Sequence, residues 1–174
     1  MFNNVLINQI HLSEVDIVID TFRNAVKNPK NLLVETPFPS SCTRKGIQTK
    51  NIFILNDFKP ILKLLQEIRN ILTQSIGQRM EYYWAHMIEY EEGGWQTEHH
   101  HAPREDVSFI LYLTDNDDGQ TYFKINTDDG LDYELHTFPK KGKLVYFDAV
   151  YDHGAKVTKT NKMVLVGGLR FMKN

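Results

Sequence analysis

Apolar residues recur at helical spacing in two early stretches of the chain. Val15, Val18, Ile19, Phe22 and Val26 fall three or four positions apart, which puts them on one face of a helix. Ser13, with Asp16 three residues later, has the form of a capping box with Asp in place of Glu, and Asn28-Pro29 ends the run. A second stripe, Ile61, Leu64, Leu65, Ile68, Leu72 and Ile76, starts near Pro60 and stops at Gly77, with Pro tolerated in the first turn and Gly suited to the end. Residues 28–50 hold Pro29, Pro37 and Pro39 and read as an irregular, exposed excursion. Its part from Pro37 to Lys50 is a candidate lid by position.

From residue 80 the pattern changes to strands. Met80 to Tyr90 is rich in aromatics, and Val107 to Leu113 is apolar on both faces, as in a buried strand. Gln120 to Asn126 follows an Asp117-Asp118-Gly119 turn, and Asp128-Asp129-Gly130 leads into Leu131 to Phe138 as a hairpin. Lys143 to Asp148 and Met163 to Phe171 complete the set. Short strands joined by Asp-Gly turns predict a sandwich or barrel. The reading is α+β, with helices first and a two-sheet jelly roll after them. The helical stripes need a partner, most simply one face of a sheet. At 174 residues the chain is expected to form one domain. Residues 1–79 would be its mostly helical part and 80–174 its jelly-roll core.

Charge changes the picture little. Twenty basic and 22 acidic side chains leave a net charge of -2, so bulk electrostatics give no case for nucleic acid. Eight basic and 2 acidic side chains stand in residues 139–174, either as solvated lysines or as a basic wall for a small dianion. No apolar stretch reaches the roughly 18 residues of a membrane span. Met1 to Leu12 lacks a basic segment followed by an apolar one. A soluble, cytoplasmic protein is therefore expected.

Histidine and cysteine point to chemistry. There is 1 Cys, Cys42, against 7 His, of which His99, His100 and His101 are consecutive. A single Cys excludes an internal disulfide framework and a Cys-based zinc site. In an extended segment His99 and His101 face the same way and His100 faces away. Far along the chain, a Pro139-Lys140-Lys141-Gly142 turn feeds an apolar strand that leads to His153. Three ligands from two distant segments can hold one face of an octahedral metal and leave the other face open. On the parity of Met80–Tyr90 lie Tyr82, Trp84, His86 and Tyr90, a face suited to core packing or to the substrate side of such a site.

The run Tyr90-x-x-Gly93-Gly94, His99-x-His101, Tyr112-Leu113, Gly119-x-Thr121-x-Phe123, Phe138-Pro139-Lys140-Lys141-Gly142-x-Leu144-Val145-x-Phe147 and His153 resembles the 2-oxoglutarate- and Fe(II)-dependent oxygenases. It is most similar to their small prolyl-hydroxylase-like bacterial and phage members. The resemblance covers roughly residues 50–174 and implies a double-stranded β-helix, the cupin-like form of the jelly roll. It implies Fe(II) held by His99 and His153, 2-oxoglutarate as cosubstrate, and oxidation by O2 of an unidentified protein or small-molecule substrate. Where that family has Asp or Glu two residues after the first His, this chain has His101. Three alternatives follow. His101 completes a three-His face; Glu105 or Asp152 supplies the carboxylate; or a one-residue shift to His100-x-Ala102 resembles the halogenating members.

The family also holds the distal carboxylate of 2-oxoglutarate with a basic residue on the last core strand. Lys162 stands nine residues after His153 and fits that place, Arg170 is the alternative, and Tyr90 or Tyr112 could add a hydroxyl. Arg would bind with two parallel bonds and Lys as a point charge. Two rival readings remain at this point. A cupin dioxygenase that does not use 2-oxoglutarate is suggested by Gly93-x5-His99-x-His101-x3-Glu105. A non-catalytic jelly-roll module would carry the His tract without function.

Overall fold

The computed structural model describes residues 5–33, 42–126 and 132–173. The expected Asp128-Asp129-Gly130 turn lies outside them. Among the described residues there are nine strands, β1 (Val5–Gln9), β2 (Thr43–Gln48), β3 (Met80–His99), β4 (Val107–Tyr112), β5 (Thr121–Asn126), β6 (Asp132–Thr137), β7 (Lys143–Asp148), β8 (His153–Ala155) and β9 (Lys162–Phe171). Two α-helices precede most of them, α1 (Leu12–Ala25) and α2 (Leu62–Ile76). The strands join in the order β1-β7-β4-β9-β3-β8-β5-β6, with β2 also on β3, and the pairings are antiparallel. The result is a curled antiparallel sheet with few helices, a jelly-roll core.

β3 links the two halves of the curl. Residues 80–90 pair with β9, and Gln96 and His99 pair with β8. Between them Gly93 takes a left-handed φ of 80°, and a Cβ on Gly94 would collide with the Lys45 and Glu91 carbonyls. Only glycines let the strand change partners there.

The helices cover one face of the larger half. Val15, Val18 and Phe22 of α1 and Leu64, Leu65, Ile68 and Leu72 of α2 are buried in one cluster with Ala85, Met87, Phe109, Leu111, Leu165 and Leu169. The opposite face of the same strands holds Ile88, Tyr90, Ile110, Tyr112, Val145, Phe147 and Val164 around Phe123. Strand alternation alone produces this division.

Several local expectations differ from the structure. α1 is capped by His11, whose ring accepts from the Ser13 N–H; Ser13 lies inside the helix and bonds the His11 ring at 2.7 Å. β1 lies in the stretch read only for the lack of a signal. β2 lies in the expected irregular excursion and is a strand because its backbone pairs with β3, although its polar sequence has no strand pattern. Of the candidate lid, residues 37–41 lie outside the described residues. Three of the eight basic side chains of the C-terminal part pair with earlier acids: Lys141 meets Asp16 at 2.6 Å, Lys140 meets Asp115 at 3.2 Å and Lys156 meets Glu134 at 3.2 Å. Among the described residues no helix is long and apolar enough to cross a membrane.

Candidate metal centre

His99 ends β3 and His153 begins β8, and the two are direct cross-strand partners. Directly opposed residues on one face bring their side chains together. His101 follows in the next turn, where its N–H bonds the Ala149 carbonyl at 3.0 Å. The ring centroids of His99 lie 4.4 Å from those of His153 and 4.8 Å from those of His101, and His101 lies 5.2 Å from His153. One ligand atom from each of the three falls within 4.8 Å of the others.

Hydrogen bonds orient the His99 and His153 rings. Nδ1 of His99 lies 2.8 Å from the Thr97 carbonyl, and Nδ1 of His153 lies 3.0 Å from the Tyr151 carbonyl. A carbonyl only accepts, so each Nδ1 carries a proton, which leaves Nε2 of each ring as the candidate ligand atom. Nδ1 of His101 faces Glu105 Oε1 at 3.8 Å, beyond hydrogen-bond distance. Burial holds the His101 imidazole neutral, pushed down to about 3, with the charges of His99, His100, Arg104 and His86 acting in the same direction. Burial, then His99 and His101, lowers His153 as well. For His99, burial acts downward, but the Cys42 hydrogen bond, the Thr97 carbonyl and the charges of Cys42 and Glu105 outweigh it and raise the group. A metal needs neutral imidazoles; burial favours that form at His101 and His153, whereas His99 would have to give up its proton to bind.

The proposed carboxylates stand outside this group. Asp152 bonds the outer histidine, His100, at 3.0 Å, and both side chains are largely exposed. Glu105 is buried behind His101, where Ser108 Oγ donates to Oε1 at 2.6 Å and Trp84 Nε1 donates to Oε2. Burial pushes Glu105 up to about 7, against the Ser108 and Trp84 hydrogen bonds.

A cleft of about 340 Å³ opens over the three histidines, walled by Tyr83, Trp84, His86, Arg104 and Ile110 among others. The aromatic face read from β3 parity is broken by a register shift between Tyr82 and Trp84. Tyr82 turns to the helices and donates to the Leu65 carbonyl, while Tyr83, Trp84 and His86 reach the cleft. Cys42 also lines it. The His99 hydrogen bond lowers its thiol despite burial. Sequence alone gave no reason to join a Cys in a Ser/Pro-rich stretch to a His 57 positions on; the signal lies in β2 pairing.

Lys162 and Arg170 share the inner parity of β9 but lie at opposite ends. Lys162 is 1% exposed. Its Nζ donates to the Gly119 carbonyl at 2.7 Å and sits 4.4 Å from the Tyr90 ring centroid. Burial pulls it down to about 7, with Asp118 opposing, and the Asp118 carboxylate is bonded to Thr158 and Lys159. Tyr112 is buried on the same inner face and donates to Thr121 Oγ1 at 2.7 Å. Arg170 is exposed, donates to the Arg104 carbonyl at 2.6 Å and stacks on Tyr83. The cleft lining extends along β9 only as far as Val166 and does not include Lys162, Tyr90 or Tyr112.

No protein-family model matches the chain, and no curated protein matches it. Solved structures do. A prolyl-4-hydroxylase from Pseudomonas putida superposes with a TM-score of 0.66 at 17% identity, covering 98% of this chain and 94% of that one. A Trichoplax adhaerens prolyl hydroxylase, solved with a hypoxia-inducible-factor peptide fragment, gives 0.76 at 14% identity, covering 98% and 84%. The epimerase SnoN, solved with Fe3+, α-ketoglutarate and nogalamycin RO, gives 0.76 at 10% identity, covering 98% and 80%. At these identities the likeness establishes the fold, the double-stranded β-helix that the sequence resemblance implied.

Proposed function

We propose that the chain is a non-haem Fe(II)- and 2-oxoglutarate-dependent dioxygenase. It would hydroxylate a peptidyl residue or a small molecule while 2-oxoglutarate is decarboxylated to succinate. One observation carries the reading: three buried or half-buried histidines converge with one ligand atom of each within 4.8 Å of the others, in a fold that holds iron and α-ketoglutarate in a solved structure. The donor set fits a metal, since the His99 and His153 rings are each oriented by a backbone carbonyl on Nδ1. It also fits a carboxylate further in, because Lys162 is a buried amine that donates to the Gly119 carbonyl and forms no ion pair among the described residues.

In this reading His99, His101 and His153 hold the ion on one face. Fe(II) and 2-oxoglutarate held there would supply the activation of O2. Lys162 takes the distal carboxylate as a point charge, and Tyr90 and Tyr112 flank it with hydroxyls. Phe123 and Phe147, whose rings lie 6.1 and 4.7 Å from His153, exclude water from the inner side. Substrate enters through the cleft past Tyr83, Trp84 and Arg104.

The cleft lining stops short of Lys162, which favours a second reading, a metal dioxygenase that does not use 2-oxoglutarate. Anaerobic titration with Fe(II), then 2-oxoglutarate, separates the two. A weak visible charge-transfer band, with Lys162→Ala raising the 2-oxoglutarate requirement more than Arg170→Ala, is the expected result. Metal-dependent stabilisation that 2-oxoglutarate never changes would support the second reading. No band, together with metal behaviour unaltered by His99→Ala or His153→Ala, would sink both.

A further inference from the structure

We propose that Glu105 is a positioning residue for the three-histidine centre, its carboxyl group facing Nδ1 of His101 from 3.8 Å and placing one imidazole away from the ion the carboxylate that position 101 lacks. The proposal rests on the metal reading above and deepens it. His99 and His153 are each oriented by the carbonyl two residues earlier in the chain. His101 is treated differently: the oxygen facing its Nδ1 belongs to a carboxyl group, 3.8 Å away and outside hydrogen-bond distance. A carboxylate is a stronger partner for an imidazole N–H than a neutral carbonyl, and such outer partners tune a metal's ligands.

The place for this carboxylate is built into three strands. Its side chain has no exposure. Trp84 of β3 and Ser108 of β4 each donate to one of its oxygens, so its rotamer is set from both sides. The Trp84 ring also lies 5.2 Å from the His101 ring, linking carboxylate and ligand through one side chain. From β9, Gly168 leaves the space: a Cβ there would overlap the Glu105 carboxyl carbon and both oxygens. A buried acid with two donors and a glycine cut out for it serves a purpose beyond packing, and the group it faces is His101.

Two measurements on the whole protein test this. Long-range 1H–15N spectra of the metal-free protein should show His101 with the proton on Nδ1; a proton on Nε2 would overturn the proposal without any variant. Titration with Co(II) should show Glu105→Gln binding about 10–100-fold more weakly than wild type, with the His99 and His153 ring signals unmoved. Gly168→Ala, which keeps Glu105 but fills its space, should weaken binding in the same direction. Glu105→Gln binding Co(II) within twofold of wild type, while His101→Ala loses it, would refute the positioning role and leave the metal reading standing. A wild-type protein that binds no Co(II) would remove both.

Discussion

The two faces of β3, β4 and β9 are buried alike but filled with different kinds of side chain. Toward the helices stand Ala85, Met87, Val107, Phe109, Leu111, Met163, Leu165 and Leu169, all apolar. On the inner face the same strands place Tyr90, Ser108, Tyr112 and Lys162 among aliphatic residues, with Glu105 beside Ser108. Burying a hydroxyl, an acid or an amine costs free energy unless each finds a partner. The helix-facing side carries it at Tyr82, whose hydroxyl donates to the Leu65 carbonyl; the inner side carries it repeatedly. The difference teaches that burial identifies the core, whereas buried polarity identifies the part of it shaped by something other than stability.

Substitutions on the two faces should therefore separate stability from chemistry. Leu165→Ala, on the helix side, is expected to lower unfolding free energy by about 2–5 kcal/mol, read by urea denaturation, without changing metal affinity per folded molecule. An equal loss of metal affinity would erase the distinction between faces. His153→Ala should leave the metal-free protein close to wild type, yet remove the metal-dependent gain. That gain is about 2.7 kcal/mol for metal at 100 times its dissociation constant, and thermal melts with and without Mn(II) read it.

Lys162 sharpens the comparison through pH. Its folded value is pulled to about 7 from an ordinary 10.5. Between those values the unfolded chain binds the extra proton, so the folded state gains stability as pH rises from 7 toward 10.5. Below 7 both states are protonated and the dependence vanishes. The slope from this group is at most about 1.4 kcal/mol per pH unit. Lys162→Met should flatten it, as seen in urea midpoints at pH 7 and 9; an unchanged slope would mean that Lys162 is not the group responsible. The smallest effect belongs to Arg170→Ala, about 1 kcal/mol or less for a surface cation–π contact, since Arg170 lies exposed against Tyr83.

The sequence showed the helical stripes and the buried strands because periodicity follows directly from which face meets the core. It also brought His99 and His153 into one argument. The structure then made them cross-strand neighbours. What stayed hidden depended on pairing between segments far apart in the chain. β2 has no apolar alternation and exists through its bonds to β3. The extra residue at Tyr83 reverses strand parity, so Tyr82 leaves the face on which period-two reading put it. Glu105 was legible as an acid near the histidines, but its side of His101 was not, because Trp84, Ser108 and Gly168 come from three different strands.

The central claim is that His99, His101 and His153 bind one metal ion without a carboxylate ligand. Anomalous diffraction from crystals grown anaerobically with Mn(II) and 2-oxoglutarate tests it directly. The account predicts a single ion in contact with the three Nε2 atoms, with Glu105 behind His101. An ion held by a Glu105 or Asp152 carboxylate, or no ion at the three histidines, would contradict it.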